Sequence, residues 1–242
     1  MTSVAEAVRR VVDSDPCLRE CLAKGIINYS ELARRLLPAI ERLTGSRPSF
    51  ESVKMAAIRY AEKLASSMEG IEGSIVSLLS MSALEVRTGI SVLTVRIGAL
   101  RKLAGLVGEL LGSARFFAMM QSLTSVTVIV DDEHLPMVRS VLSDDDIIDL
   151  YRDQAALVIV SPKHIVSTPG FIAYVSSLLA RNGINITQIE SCHTDTVLII
   201  SKKDLLQAFE LLTSAIEMAR LYASVYASSG HRGAGEGTSQ HD

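Results

Sequence analysis

The segment Ser167-Thr168-Pro169-Gly170 carries the residue types best suited to hold a small anion. Pro169 fixes one backbone angle, and Gly170 then offers backbone without a Cβ where a helix is predicted to begin. Exposed N–H groups at such a start, with the helix dipole behind them, suit a carboxylate. Downstream, Gly183 lets that helix end and turn back, and Asn185 can hydrogen-bond at the start of the next strand. Ile165 and Ile186 flank the two motifs. A plain strand-to-helix turn would use the same Pro and Gly.

The remaining chemistry-bearing residues form no reactive set. Asp131-Asp132-Glu133 and Asp144-Asp145-Asp146 fall at predicted turns and read as solvated caps, with no His or Cys at ligand spacing. His164 and His193 flank the loop in sequence and read as surface histidines. Cys192 ends a predicted strand and reads as buried and inert. No Ser-His-Asp order, nucleophile elbow or HExxH occurs. The expectation is a protein without catalysis of its own, without metal and without cofactor.

Composition narrows the class further. The chain has 242 residues, 48% hydrophobic, with no tryptophan, so its core must be built from Leu, Ile, Val and Ala. A formal net charge of −3 excludes a general polycation, so nucleic-acid binding would need a local basic patch. Cys17, Cys21 and Cys192 form no CxxC and suit a reducing compartment. The N-terminus lacks an apolar signal core, and the apolar stretch from Ile90 to Leu111 is interrupted by Arg96, Arg101, Lys102 and Glu109. These features predict a cytoplasmic protein with no membrane span.

Positioning the loop is the task of a repeat. Residues 123–142 and 193–212 share a pattern of β-branched run, polar turn and amphipathic helix, with Thr124 matching Thr194, Ile129 matching Ile199, Leu135 matching Leu205 and Leu142 matching Leu212. Strands are predicted at 84–87, 90–97, 116–122, 125–130 and 146–151, with a turn at Thr88-Gly89 and helices at 99–111 and 134–142. The second pass has strands at 156–161, 184–191 and 196–201, and helices at 171–181 and 204–226. The second copy lacks a closing strand, which Leu84–Arg87 can supply. Residues 1–66 read as helices, with Asn28 or Ser30 as an N-cap and Pro38 as a candidate kink. The fold class is α+β: a helical, helix-turn-helix-like domain (1–66), a linker and short helix (67–81), then two ferredoxin-like βαββαβ modules (82–153 and 154–226). Residues 227–242 read as a disordered tail.

From Ala156 to Leu212 the chain resembles the C-terminal ACT module of aspartate kinases. The resemblance rests on Leu157-Val158-Ile159-Val160, Ser167-Thr168-Pro169-Gly170, Gly183-Ile184-Asn185-Ile186 and Thr196-Val197-Leu198-Ile199-Ile200, in the family's order and without a gap. It implies an amino acid bound at an interface between paired modules, at Ile165, Ser167, Thr168, Pro169, Gly170, Gly183, Asn185 and Ile186. There are departures: the family's Met-Arg before the loop serine is Ile165-Val166 here, and nothing upstream resembles a kinase catalytic domain. The first copy has no Pro-Gly and no Gly-Ile-Asn, since Ile97-Gly98-Ala99 joins its strand directly to its helix.

The helical front resembles a helix-turn-helix unit. Arg34, Arg35, Arg47, Lys54, Arg59 and Lys63 are its candidate nucleic-acid contacts, and a helical bundle with solvated cations is the competing reading. The whole layout resembles stand-alone ACT proteins that are predicted regulators of amino-acid metabolism. The expectation is an amino-acid-sensing regulator, a homodimer or higher oligomer, whose helical domain binds DNA or a protein. The alternative is a regulatory subunit of a biosynthetic enzyme such as aspartate kinase, without DNA binding.

Overall fold

A computed structural model describes residues 2–230, and their side chains except at 67–71 and 225–230. It divides into two units, Met1–Ser74 and Ile75–Asp242. From residue 231 onward the expected tail lies outside the described residues.

The first unit is built from helices whose starts are capped by short polar side chains. In α1 (Val4–Asp13) the Ser3 hydroxyl accepts from Glu6 N–H, and in α2 (Pro16–Ala23) the Asp15 carboxylate accepts from Leu18 N–H. Asn28, not Ser30, caps α3 (Tyr29–Thr44), accepting from the N–H groups of Ser30 and Glu31. That helix runs through Pro38 and closes on Gly45 at φ 70. The next helix, α4, spans Phe50–Ser80. Val8, Val12, Leu22, Ile40, Val53 and Ala57 are fully buried in this unit's core. Each aliphatic side chain of that size contributes roughly 1.5–3 kcal/mol on burial.

Continuity of α4 corrects the expected linker, since residues 66–73 are helical. Gly70 and Gly73 suggested a break, but each costs a helix only about 1 kcal/mol. The helix is anchored on both sides, by Leu64 in one core and by Ile75, Leu78 and Leu79 in another.

The second unit runs β1 (Ala83–Arg96), α5 (Leu100–Ala104), α6 (Val107–Ser113), β2 (Phe117–Gln121), β3 (Ser125–Asp131), α7 (Leu135–Ser140) and β4 (Ile147–Val160). It continues with α8 (Phe171–Arg181), β5 (Ile186–Cys192), β6 (Asp195–Ser201) and α9 (Leu205–Gly230). The strands form one antiparallel sheet in the order β2-β3-β1-β4-β6-β5. The repeat is visible in its register. Ile90 to Arg96 pair with Asp131 to Ser125, and Gln154 to Val160 pair with Ser201 to Asp195, residue for residue. Even the entry bonds match: Ile97 N–H donates to Thr124 C=O at 3.1 Å, and Ser161 N–H to Thr194 C=O at 2.9 Å.

The two halves share strands. Residues Ala83 to Thr88 of β1 pair with Val160 to Ala155 of β4, so the second half does take its fourth strand from there. The expected turn at Thr88-Gly89 is instead a bulge, with Gly89 at φ 71 and the register shifting between Thr88 and Ile90. One extra residue there changes the alternation. Leu84 and Val86 before it, and Leu93 and Val95 after it, all reach cores lined by helices. The strands expected at 146–151 and 156–161 are likewise one strand, bent at Asp153 with φ 53. In contrast, the helix expected at 99–111 breaks between Ala104 and Val107, at Gly105. Phe171, Val175, Leu179, Leu212 and Ile216 pack on Leu157, Leu198 and Ile200, while Leu103, Leu110 and Val138 pack on Leu93 and Val128. A further cluster of Ile90, Val92, Ile129, Ala156 and Ile199 includes both repeat-matched isoleucines.

Candidate ligand-binding site

The link between strand and helix distinguishes the two halves. In the first it is a single turn, Ile97–Ala99. In the second it comprises the turn Lys163–Ser167 and then Thr168-Pro169-Gly170. Ile165 anchors this loop at 7% exposure, and Ser167, Pro169 and Gly170 are exposed. The hydroxyls of Ser167 and Thr168 both donate to His164 C=O, at 3.2 and 2.8 Å, which leaves their lone pairs as acceptors. Gly170 takes φ 90, and no side chain caps the first turn of α8. The first N–H groups of a helix lack partners within it, the feature through which helix starts in general attract anions.

The second motif lies at the other end of the same helix. Gly183 at φ 76 reverses the chain, its N–H donating to Ala180 C=O at 3.1 Å, and Ile184 is buried. Asn185 is exposed and half-buried Ile186 opens β5 opposite Ile200. α8 has 11 residues, which separates the two motifs by roughly 16 Å at helical rise. One chain therefore gathers Ile165, Ser167, Thr168, Pro169 and Gly170 at one end of α8, and Gly183, Asn185 and Ile186 at the other.

Several residues depart from expectation. Asp131 is no solvated cap: it is 2% exposed and accepts from Arg115 N–H at 2.9 Å and from His134 Nδ1 at 2.6 Å. Burial works to raise its carboxyl, but hydrogen bonds from His134 and from the backbone of Arg115 and Phe116 outweigh it and hold the group below its usual range. Asp146 binds Lys102 Nζ at 2.6 Å and the backbone and hydroxyl of Ser143, which together lower its pKa to about 2. Cys192, expected inside, is exposed on the edge strand. Glu190, on the same strand, has one carboxylate oxygen buried without a hydrogen bond, and burial raises its pKa. No sequence signal marked it, because its neighbours across the strands are known only from the register.

The cationic candidates do not form one face. Arg34 and Arg35 both bind Glu31, at 3.2 and 2.9 Å, and Arg34 also sits 5.8 Å over the Phe50 ring. Arg35, then Arg34, hold the Glu31 carboxyl below its usual range. On α4, Arg59 and Lys63 are exposed one turn apart, whereas half-buried Lys54 falls on another side of the helix. Arg47 is exposed between α3 and α4. Among the described residues no group of three or more His, Cys, Asp or Glu is placed to hold a metal, and no helix is long and apolar enough to cross a membrane.

Residues 149–214 match the family model described as ACT domain. The matched segment begins in β4, ends within α9 and contains all eight residues of the two motifs. Among solved structures, the chain is similar to an aspartate kinase from Clostridium acetobutylicum, at 15% identity and TM-score 0.46, covering 55% of this chain and 34% of that one. The regulatory subunit of aspartate kinase from Thermus thermophilus is similar at 18% identity and TM-score 0.45, with 55% and 97% covered. Escherichia coli aspartokinase III, in complex with aspartate and ADP, is similar at 19% identity and TM-score 0.44, with 55% and 33% covered. The chain thus spans about a third of the length of the two kinases. None of the curated proteins matches it in sequence.

Proposed function

We propose that this chain is an amino-acid-sensing regulatory protein without catalysis of its own. The observation that carries the reading is the coincidence of the ACT-domain match with the half of the repeat that has kept a long strand-to-helix link. The other half, residues 82–153, is a second ACT module that has lost this link and serves as a pairing surface. Ligand carboxylate binds at the Gly170 end of α8, and Asn185 of another copy completes the site. The protein is then a homodimer or higher oligomer, acting in the cytoplasm. Binding changes how two copies meet, and thereby the output of the helix-turn-helix-like domain at 1–66.

That output is contact with DNA or with a biosynthetic enzyme such as an aspartate kinase. Sharing of Glu31 by Arg34 and Arg35 and the dispersal of Lys54 from Arg59 and Lys63 favour the enzyme partner. A DNA partner requires binding that weakens steeply with salt and responds to an amino acid. Salt-independent or absent DNA binding leaves the enzyme partner.

A thermal-shift screen against the twenty common amino acids tests the sensor. A ligand at about 100 times its Kd stabilises by roughly 2.7 kcal/mol if it binds only the folded state. Gly170→Val and Asn185→Ala are each expected to abolish the shift while leaving the unliganded melt cooperative. Twenty amino acids that all leave the melting temperature unmoved would remove the sensor.

A further inference from the structure

A second site of opposite charges lies away from the Gly170 loop. Asp132, Leu135, Pro136, Arg139, Ser140 and Arg152 line a cleft of about 420 Å³ between α7 and the bend of β4. That volume falls within the range of small-molecule sites. Among the described residues, neither guanidinium comes within 4.0 Å of the Asp132 carboxylate. Arg139 pairs with Asp144 at 3.9 Å, and that carboxylate is fully in solvent. Among the described residues Arg152 makes no ion pair, and its side chain is exposed beside Asp153, whose φ of 53 breaks the alternation of the strand. Asp132 is held in place from behind: its N–H donates to Gly89 C=O at 2.8 Å and its Oδ1 accepts from the Ser91 hydroxyl at 2.6 Å. Oδ2 makes no such bond.

Opposite charges on one surface ordinarily collapse onto each other when their side chains can reach. Here the carboxylate is fixed over the bulge of β1, while the two cations stand on α7 and β4, so a gap is kept between them. A ligand that fills such a gap must present an anion to the guanidinia and a cation to Asp132. We infer that this cleft binds a free amino acid as its zwitterion, with the α-carboxylate on Arg139 and Arg152 and the ammonium on Asp132 Oδ2. A planar guanidinium pairs with a carboxylate through two parallel hydrogen bonds, which gives the anionic end its orientation. Leu135, buried, and Pro136, exposed, supply the apolar lining, which suits a small aliphatic side chain. This site is additional to the Gly170 loop, and its ligand class is set by the charges of the cleft.

The test is amide NMR of the full ¹⁵N-labelled chain, titrated singly with the twenty common amino acids and with two half-ligands, propionate and ethylamine. At least one amino acid is expected to shift Gly89, Asp132, Leu135, Arg139 and Arg152, with both half-ligands bound at least about tenfold more weakly. Arg139→Gln and Arg152→Gln are each expected to weaken that binding by about tenfold or more, the scale of a lost charge-assisted hydrogen bond. Asp132→Asn is expected to erase the preference over propionate. Both arginines are exposed, so unchanged amide positions elsewhere certify the fold of these variants. Absence of shifts at the cleft with every amino acid overturns the inference, and so does propionate binding there as tightly as the best amino acid. Shifts confined to residues 163–171 and 183–188 overturn it and leave the sensor loop standing. Shifts at the cleft alone sustain it and remove the loop.

Discussion

Asp131 is a carboxylate that the first half of the sheet buries and then keeps charged. Four donors converge on it, from His134 Nδ1 and from the N–H groups of Arg115, Phe116 and His134. Its partner in the repeat register is Ser201, which carries no charge, so the acid-sensitive contact belongs to one half only. Asp146, its pKa lowered to about 2, sits in the same half. Both groups have folded pKa values below their ordinary ones. Their contribution is therefore present above about pH 4 and is lost as pH falls through the folded values. Asp131→Asn is expected to cost about 1.5–3 kcal/mol at pH 6, the range for hydrogen bonds to a charged group. The gap to the parent, read from urea midpoints, should narrow by pH 2.5. A gap that stays constant with pH would show that the site is held by shape and not by charge.

At the level of elements, regular alternation was legible and its interruptions were not. The residue types at 125–130 and 196–201 predict two strands, and both form, in matching registers. Gly183 and Pro169-Gly170 correctly bracket α8 because their backbone roles are local. Other features depend on partners distant in sequence. Thr88-Gly89 reads as a turn, but pairing of β4 along both sides of it keeps the strand going and leaves a bulge. Asp131 reads as a turn residue, and only the arrival of Arg115 and His134 makes it an interior acceptor. Cys192 reads as buried because strand ends usually are, yet β5 is an edge. Residues 66–73 mislead for the opposite reason: their glycines are local helix breakers, overruled by apolar anchors on both sides. Gly73 has no atom within 4 Å of an added Cβ. Gly73→Ala is thus expected to stabilise the protein by about 0.5–1 kcal/mol in thermal or urea melts. A destabilised Gly73→Ala variant would mean that this stretch is not helical in solution.

On the scale of the whole molecule, the decisive fact is that α8 holds the Gly170 and Asn185 motifs apart. Gly170 and Asn185 stand at opposite ends of an 11-residue helix, so no single small ligand touches both within one chain. If both motifs contact the same amino acid, as the proposed sensor requires, they must come from different copies. This makes a prediction that a site within one chain does not share. Gly170→Val and Asn185→Ala homodimers each carry two broken sites. In a mixed dimer, one site combines both defects and the other combines the intact loop of one copy with the intact Asn185 of its partner. Refolding the two variants together from denaturant is therefore expected to restore binding of the amino acid found in the screen, at about one site per mixed dimer. With equal amounts and random pairing, about half of the dimers are mixed, so calorimetry should recover about a quarter of the parental stoichiometry. Recovery at parental affinity would place the loop and the strand start on either side of one interface. If refolding together restores nothing while each variant still dimerises, the two motifs do not share a ligand, and Asn185 leaves the site.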